Sequence, residues 1–272
     1  MLTLSAAQLA AARRGDAYVA AALASQGATS PAAGVVAASA LAGIASDGRP
    51  LVSLLLQPAI RAVAAIGHGA PVRESMTAGR FALDMIVRTQ LADAGRVAEG
   101  VAVTANEDVT GYVRLLVPPS CSRCIILAGR VYEWNAGFER HPKCNCRHIP
   151  ANEDVAGDLR TDPKAYFNSL DPAEQARIFT NDGAQAIRDG ADMNRVVNAR
   201  RGMETAARAA GGRGGRLIRR NVFGRDLFTT TEAVTKRGVN RQIRLMPESI
   251  YELAAGNRGE ALRLLRAHGY IT

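Results

Sequence analysis

Aromatic side chains are scarce in this chain: six Phe, six Tyr and one Trp among 272 residues, 5% in all. That argues against a β-sandwich with an aromatic-rich core. With 47% hydrophobic residues and abundant alanine, the composition favours helices packed through small side chains. Long apolar runs are missing as well. The two best are residues 34–45, mostly Ala, Gly and Ser, and residues 51–66, broken by Gln57-Pro58 and Arg61. Neither supplies the roughly 20 apolar residues of a membrane span. The opening MLTLSAAQLAAARRGD lacks the basic-then-apolar order of a secretory signal, so the expected setting is a reducing cytoplasm. Acidic residues are the minority, 25 against 34 Lys and Arg, leaving a net charge of +9. A surface of that sign suits nucleic acid or another acidic partner.

Cysteine is also rare, but it is concentrated: all four lie between positions 121 and 146. In a reducing compartment such a cluster points to metal rather than disulfides. Cys121-x2-Cys124 is followed, after 19 residues, by Cys144-x-Cys146, with His141 three residues before Cys144. Zinc takes four tetrahedral ligands from thiolate and imidazole, and this spacing falls within the range of zinc ribbons. Two ligand sets compete: the four cysteines, or a set in which His141 replaces Cys144 or Cys146. The first accounts for every cysteine and is preferred; His148 ranks third. The competing readings are buried thiols without metal, or a redox pair, although no thioredoxin-like βαβ pattern surrounds Cys121 and Cys124. No carboxylate falls in a spacing such as H-E-x-x-H, so the expected centre is closed and structural.

The expected fold is α+β, mainly α-helical, with a small β and zinc-knuckle module at about 105–150. Four regions are expected. Residues 1–72 form an Ala-rich helical segment, and 73–203 a core containing the knuckle at 121–148. Residues 204–244 form a basic Gly/Arg-rich arm, and 245–272 a C-terminal helical segment. Within the core, Leu83, Ile86, Val87, Leu91, Ala94, Val97 and Ala98 mark the apolar stripe of a long helix, with Arg80, Asp84, Arg88 and Arg96 off it. Strands are expected at 111–117 and 130–134. Asp171, Pro172 and Glu174 start a further helical block as N-cap, N1 and N3, with a break near Gly183 or Gly190. The C-terminal segment reads as two helices split at Gly256-Asn257.

From Arg195 to Arg225 there are nine arginines and one acid, Glu204. The flexible GGRGGR at 211–216 makes Arg213, Arg216, Arg219 and Arg220 the candidates for contact with a phosphate backbone or an acidic protein. Arg88 has two readings of equal weight: an anchor for the cysteine module, through carbonyls or a carboxylate, or an exposed helix arginine. Trp134 and Phe138 are expected to wedge against the knuckle as core. Ser120, Ser122, His141, His148 and Asp154 form a protease triad only on paper, since no G-x-S-x-G is present, and no catalytic residue is assigned.

The order Arg88-Thr89, strand, Cys121-x2-Cys124, Leu127-x-Gly129, His141-Pro142-x-Cys144-x-Cys146 resembles the MuF-type minor head proteins of tailed phages, the phage head morphogenesis family. Trp134, Gly137-Phe138 and Arg140-His141-Pro142 are most similar to versions carried by actinobacterial phages. Residues 186–203 and 245–271 also look like those homologues, so the resemblance spans about 75–272. It implies a minor capsid protein, made in the host cytoplasm and then resident in the virion head near the portal. The implied partners are the portal, other head proteins and packaged DNA, with no membrane and no small-molecule substrate. Some such proteins are labelled capsid maturation proteases, which keeps that alternative open beside a nucleic-acid-binding module of no phage origin.

Overall fold

The structure is a computed structural model that describes residues 2–28, 31–136, 141, 144–152, 160–209, 219–222, 224–230 and 244–271, with residues 2 and 203–209 as backbone only. Helices dominate and the sheets are small and antiparallel, so the fold is α+β and mainly helical. In chain order the elements are α1 (Leu2–Ala12), α2 (Gly15–Ala24), a 3-10 turn (Ala38–Leu41), α3 (Leu51–Gly67), α4 (Val72–Thr104), β1 (Gly111–Leu115), α5 (Ser122–Ile126), β2 (Val131–Glu133) and β3 (Arg147–Ala151). Then come α6 (Pro163–Ser169), α7 (Pro172–Phe179), α8 (Asn181–Arg188), α9 (Met193–Ala209), β4 (Arg219–Val222), β5 (Arg225–Thr230), β6 (Arg244–Leu245), α10 (Pro247–Ala254) and α11 (Arg258–Ala267). The chain divides into two compact units, residues 1–120 with 127–162 and residues 121–126 with 163–272. Among the described residues, no helix is long and apolar enough to cross a membrane.

The first unit is built on α4. Its 33 residues make a rod of about 50 Å at 1.5 Å per residue. Helices α1, α2 and α3 pack along it. The approach of α2 is close because position 15 is glycine: a Cβ there would lie 2.9 Å from the Ala98 carbonyl carbon and oxygen. Beyond α4, β1 is the centre of a three-stranded sheet in the order β2-β1-β3. Tyr112 pairs with Tyr132 on one side and Pro150 on the other, and the two tyrosine rings stack 5.1 Å apart.

Arg96, expected off the apolar stripe of α4, is nonetheless buried, together with Gln90, Asp93 and Glu99. Three-residue spacing puts these four polar residues in one row on the helix. Of the expected apolar stripe, Leu83 and Val97 stay exposed while Ala94 and Ala98 are buried. The row is tolerated because its members are bonded: Gln90, for example, accepts from the Ser46 amide at 2.7 Å and donates to the Ser46 hydroxyl at 3.0 Å.

The second unit carries α5 through α11 and a sheet ordered β4-β5-β6. The expected start of α7 is present: the Asp171 carboxylate accepts from the Glu174 amide at 2.8 Å, with Pro172 opening the helix. The following break falls at Thr180, which ends α7 and caps α8 through its own hydroxyl, with a second break around Gly190. The C-terminal pair α10 and α11 separates at Ala255-Gly256, both at positive φ, and Asn257 caps α11. Buried Phe167, Phe179, Ile187, Ile250, Leu265 and Tyr270 belong to this unit. The GGRGGR stretch lies outside the described residues. The described residues of the expected arm belong to regular elements: they supply the end of α9, the β4–β5 hairpin and the start of β6.

Candidate metal centre

Cys121 lies just before α5 and Cys124 within it, where the Ile125 amide donates to the Cys121 carbonyl at 3.1 Å. The Cys144 amide donates to the His141 carbonyl at 3.1 Å, and Cys146 directly precedes β3. Cys124, Cys144 and Cys146 are buried; Cys121 and His141 are half-buried. All four thiols are free of disulfides. Two groups have their ligand atoms within 4.8 Å of one another: Cys121 with Cys124 and His141, and Cys124 with Cys144 and Cys146. A tetrahedral site with bonds of about 2.3 Å to sulfur sets its donors about 3.8 Å apart, so each group has a spacing that could hold a metal ion. All five expected ligands are therefore close to Cys124, the member common to both groups.

Behind the thiols stands Arg96. Its Nε donates to the Cys146 carbonyl at 3.1 Å, one terminal nitrogen donates to the Cys144 carbonyl, and the other pairs with the Asp93 carboxylate at 3.2 Å. The planar fork of guanidinium suits this task, since it holds two carbonyls and one carboxylate in fixed relative positions. Of the two readings of Arg88, the exposed helix arginine is the one observed, paired with Asp84 at 2.8 Å. Sequence reasoning looked for an anchoring arginine two turns too early. The available signal was Asp93 three residues before Arg96, in line with Gln90 and Glu99.

His148, the third-ranked ligand, belongs to neither group among the described residues. Its ring meets Tyr112 edge-on at 4.6 Å, and its Nδ1 lies 3.9 Å from Glu99. Burial pushes the Glu99 carboxyl above the ordinary range, against the opposing charges of Arg147 and Arg96. Burial likewise pushes Tyr18 up to about 12, and Tyr18 donates to the His148 carbonyl. Arg96, Tyr112, Trp134 and His148 also border a cleft of about 230 Å³. Trp134 is 46% exposed, so it is not the core wedge expected of it; Phe138 lies outside the described residues.

Of the candidate phosphate-binding arginines, Arg213 and Arg216 lie outside the described residues. Arg220 is exposed on β4. Arg219 is committed within the fold: it donates to the Asp226 carbonyl at 3.1 Å, meets Glu252 at 3.3 Å and stacks over Phe228 at 4.5 Å. Two more arginines of the basic stretch are internal struts, Arg195 on the Gly269 carbonyl and Arg200 on Glu248. Of the paper triad, Ser120 is buried with its hydroxyl donated to the Val117 carbonyl at 3.1 Å, and Asp154 lies outside the described residues.

The chain thus carries a Cys/His cluster able to bind a metal, reached from the geometry alone, for no family model, curated protein or solved structure matches it.

Proposed function

We propose that the cluster holds a structural zinc ion and that the chain is a MuF-type minor capsid protein of the portal-proximal head. The observation that carries the metal reading is the convergence of both cysteine pairs and His141 on Cys124, with the carbonyls behind Cys144 and Cys146 tied to Arg96. Bound there, zinc supplies a cross-link and folding free energy rather than chemistry on a substrate. Four of the five donors close a tetrahedron, which leaves no ligand position for a reactant. The head reading rests on the sequence resemblance and is supported by the excess of basic charge. Its test is mass spectrometry of purified particles from the genome that encodes the chain. Expected is a few copies per particle; complete absence from particles would remove the assignment.

A minor head protein near packaged DNA has a use for the basic segment. Replacing Arg213, Arg216, Arg219 and Arg220 with Gln is expected to flatten the salt dependence of DNA binding. The slope of log K against log salt falls by about 0.9 for each phosphate that is no longer neutralised. Because Arg219 also holds Glu252 and Phe228, a variant that keeps Arg219 and changes the other three is the informative one. An unchanged slope in that variant assigns the segment to protein contacts instead.

A further inference from the structure

Helix α3 is apolar nearly all round: Arg61 is the one charged residue in its 17. A helix of that composition is ordinarily buried on all sides. Yet only Leu51, Pro58 and Ala62 are buried, on the side that packs along α4. The same side meets Gly79, where a Cβ would lie 3.3 Å from the Pro58 carbonyl and from Ala62. On the opposite side Val52, Leu56, Ile60 and Val63 are between 43% and 67% exposed, and Val72 and Met76 at the start of α4 are exposed to a similar degree.

From this pattern we infer that the outer face of α3 is a homodimer interface, on which a second copy of the chain packs its own α3 antiparallel about a two-fold axis. Three observations favour a second copy over a different partner. First, positions 52, 56, 59, 63 and 66 are spaced 4-3-4-3, the heptad spacing of a helix–helix seam. That spacing read backwards is nearly itself, with Ala59 at its midpoint. A two-fold therefore sets Leu56 beside Val63, Val52 beside Ile66, and the small Ala59 beside its own copy, as an isologous contact requires. Second, the face carries no charge pattern that would select an unlike partner or repel a like one. Third, the area is of the right order. Val52, Leu56, Ile60 and Val63 with Ala59 present on the order of 400 Å² on this helix alone, within the range of the largest patch of a monomer and about half of the roughly 800 Å² that each partner contributes to a standard interface.

The surface lies away from the thiol cluster in sequence and is independent of the metal reading. The experiment is sedimentation equilibrium of the full chain as purified over a micromolar concentration series. The expected species is a dimer of twice 28.8 kDa. The double variant Leu56→Glu, Val63→Glu is expected to dissociate at least about 100-fold more readily, because both charges enter the apolar seam. Both positions are exposed, so its helicity and zinc content are expected to match the parent. A parent that stays monomeric throughout the series overturns the inference, as would occur if the face served a different protein. A dimer that survives the double substitution also overturns it, since another surface must then hold the copies together.

Discussion

Cys124→Ser is expected to release the metal and unfold the cysteine segment, whichever fourth ligand completes the set. Cys124 is the residue shared by the two groups of close donors among the described residues, and both competing ligand sets contain it, so a four-ligand site that keeps either group whole cannot do without it. Structural zinc contributes about 10–16 kcal/mol to the folding of small zinc modules, which matches or exceeds the roughly 5–15 kcal/mol by which a domain is stable. Zinc measured by elemental analysis should fall from about one ion per chain to below about 0.3. The near-ultraviolet signal of Trp134, which lies between the two cysteine pairs in sequence, should be lost with it. His141→Ala and Cys146→Ser then separate the ligand sets, since the replaced residue that leaves zinc bound is not a ligand. A parent chain that purifies without metal and keeps its fold in chelator would sink the zinc assignment.

Arg96→Met should cost about 3–5 kcal/mol, the range for breaking a buried ion pair by removing one partner. The side chain of Arg96 is 2% exposed and that of Asp93 is 6% exposed. Methionine leaves the Asp93 carboxylate without its guanidinium partner and leaves the carbonyls of Cys144 and Cys146 without their shared donor. The variant also separates a positioning role from simple packing, because zinc affinity should fall about 10–100-fold, as it does when groups that orient metal ligands are removed. Arg96→Lys should recover part of the stability and little of the affinity, since a point charge does not reproduce the fork. Arg88→Met is the control, with a change within about 0.5 kcal/mol because its pair with Asp84 is exposed. Equal stability and equal zinc affinity in Arg96→Met and the parent would refute the role.

Much of the fold was legible where local chemistry decides it. Asp171-Pro172-x-Glu174 specifies a helix start within four residues, and the structure has it. The ligand candidates were legible too, because few residue types bind metal and their spacing is short. The misreadings share a cause. The α4 stripe was read by hydrophobicity, but its packed side includes a row of bonded polar residues whose partners, Ser46, Cys144, Cys146 and Arg147, are distant in sequence. β3 reads Arg-His-Ile-Pro-Ala and has little strand character of its own; its pairing with β1 makes it a strand. The hairpin of β4 and β5 was hidden by an arginine-rich composition that suggested a connector, yet Arg219 packs on Phe228 across that hairpin.

The length of α4 has a consequence for how this protein tolerates insertions and deletions. One uninterrupted helix carries Met76 on its bare first turns and Arg96 behind the cysteines, so the angle between those two side chains is set by residue count alone. Each residue added or removed between them turns one end against the other by about 100°. Exposed positions along that stretch, such as Arg88, are open to substitution, but its length is locked in rotational phase. The chain between Asp47 and Arg49 obeys no such rule, since a turn takes up an extra residue without rotating anything beyond it.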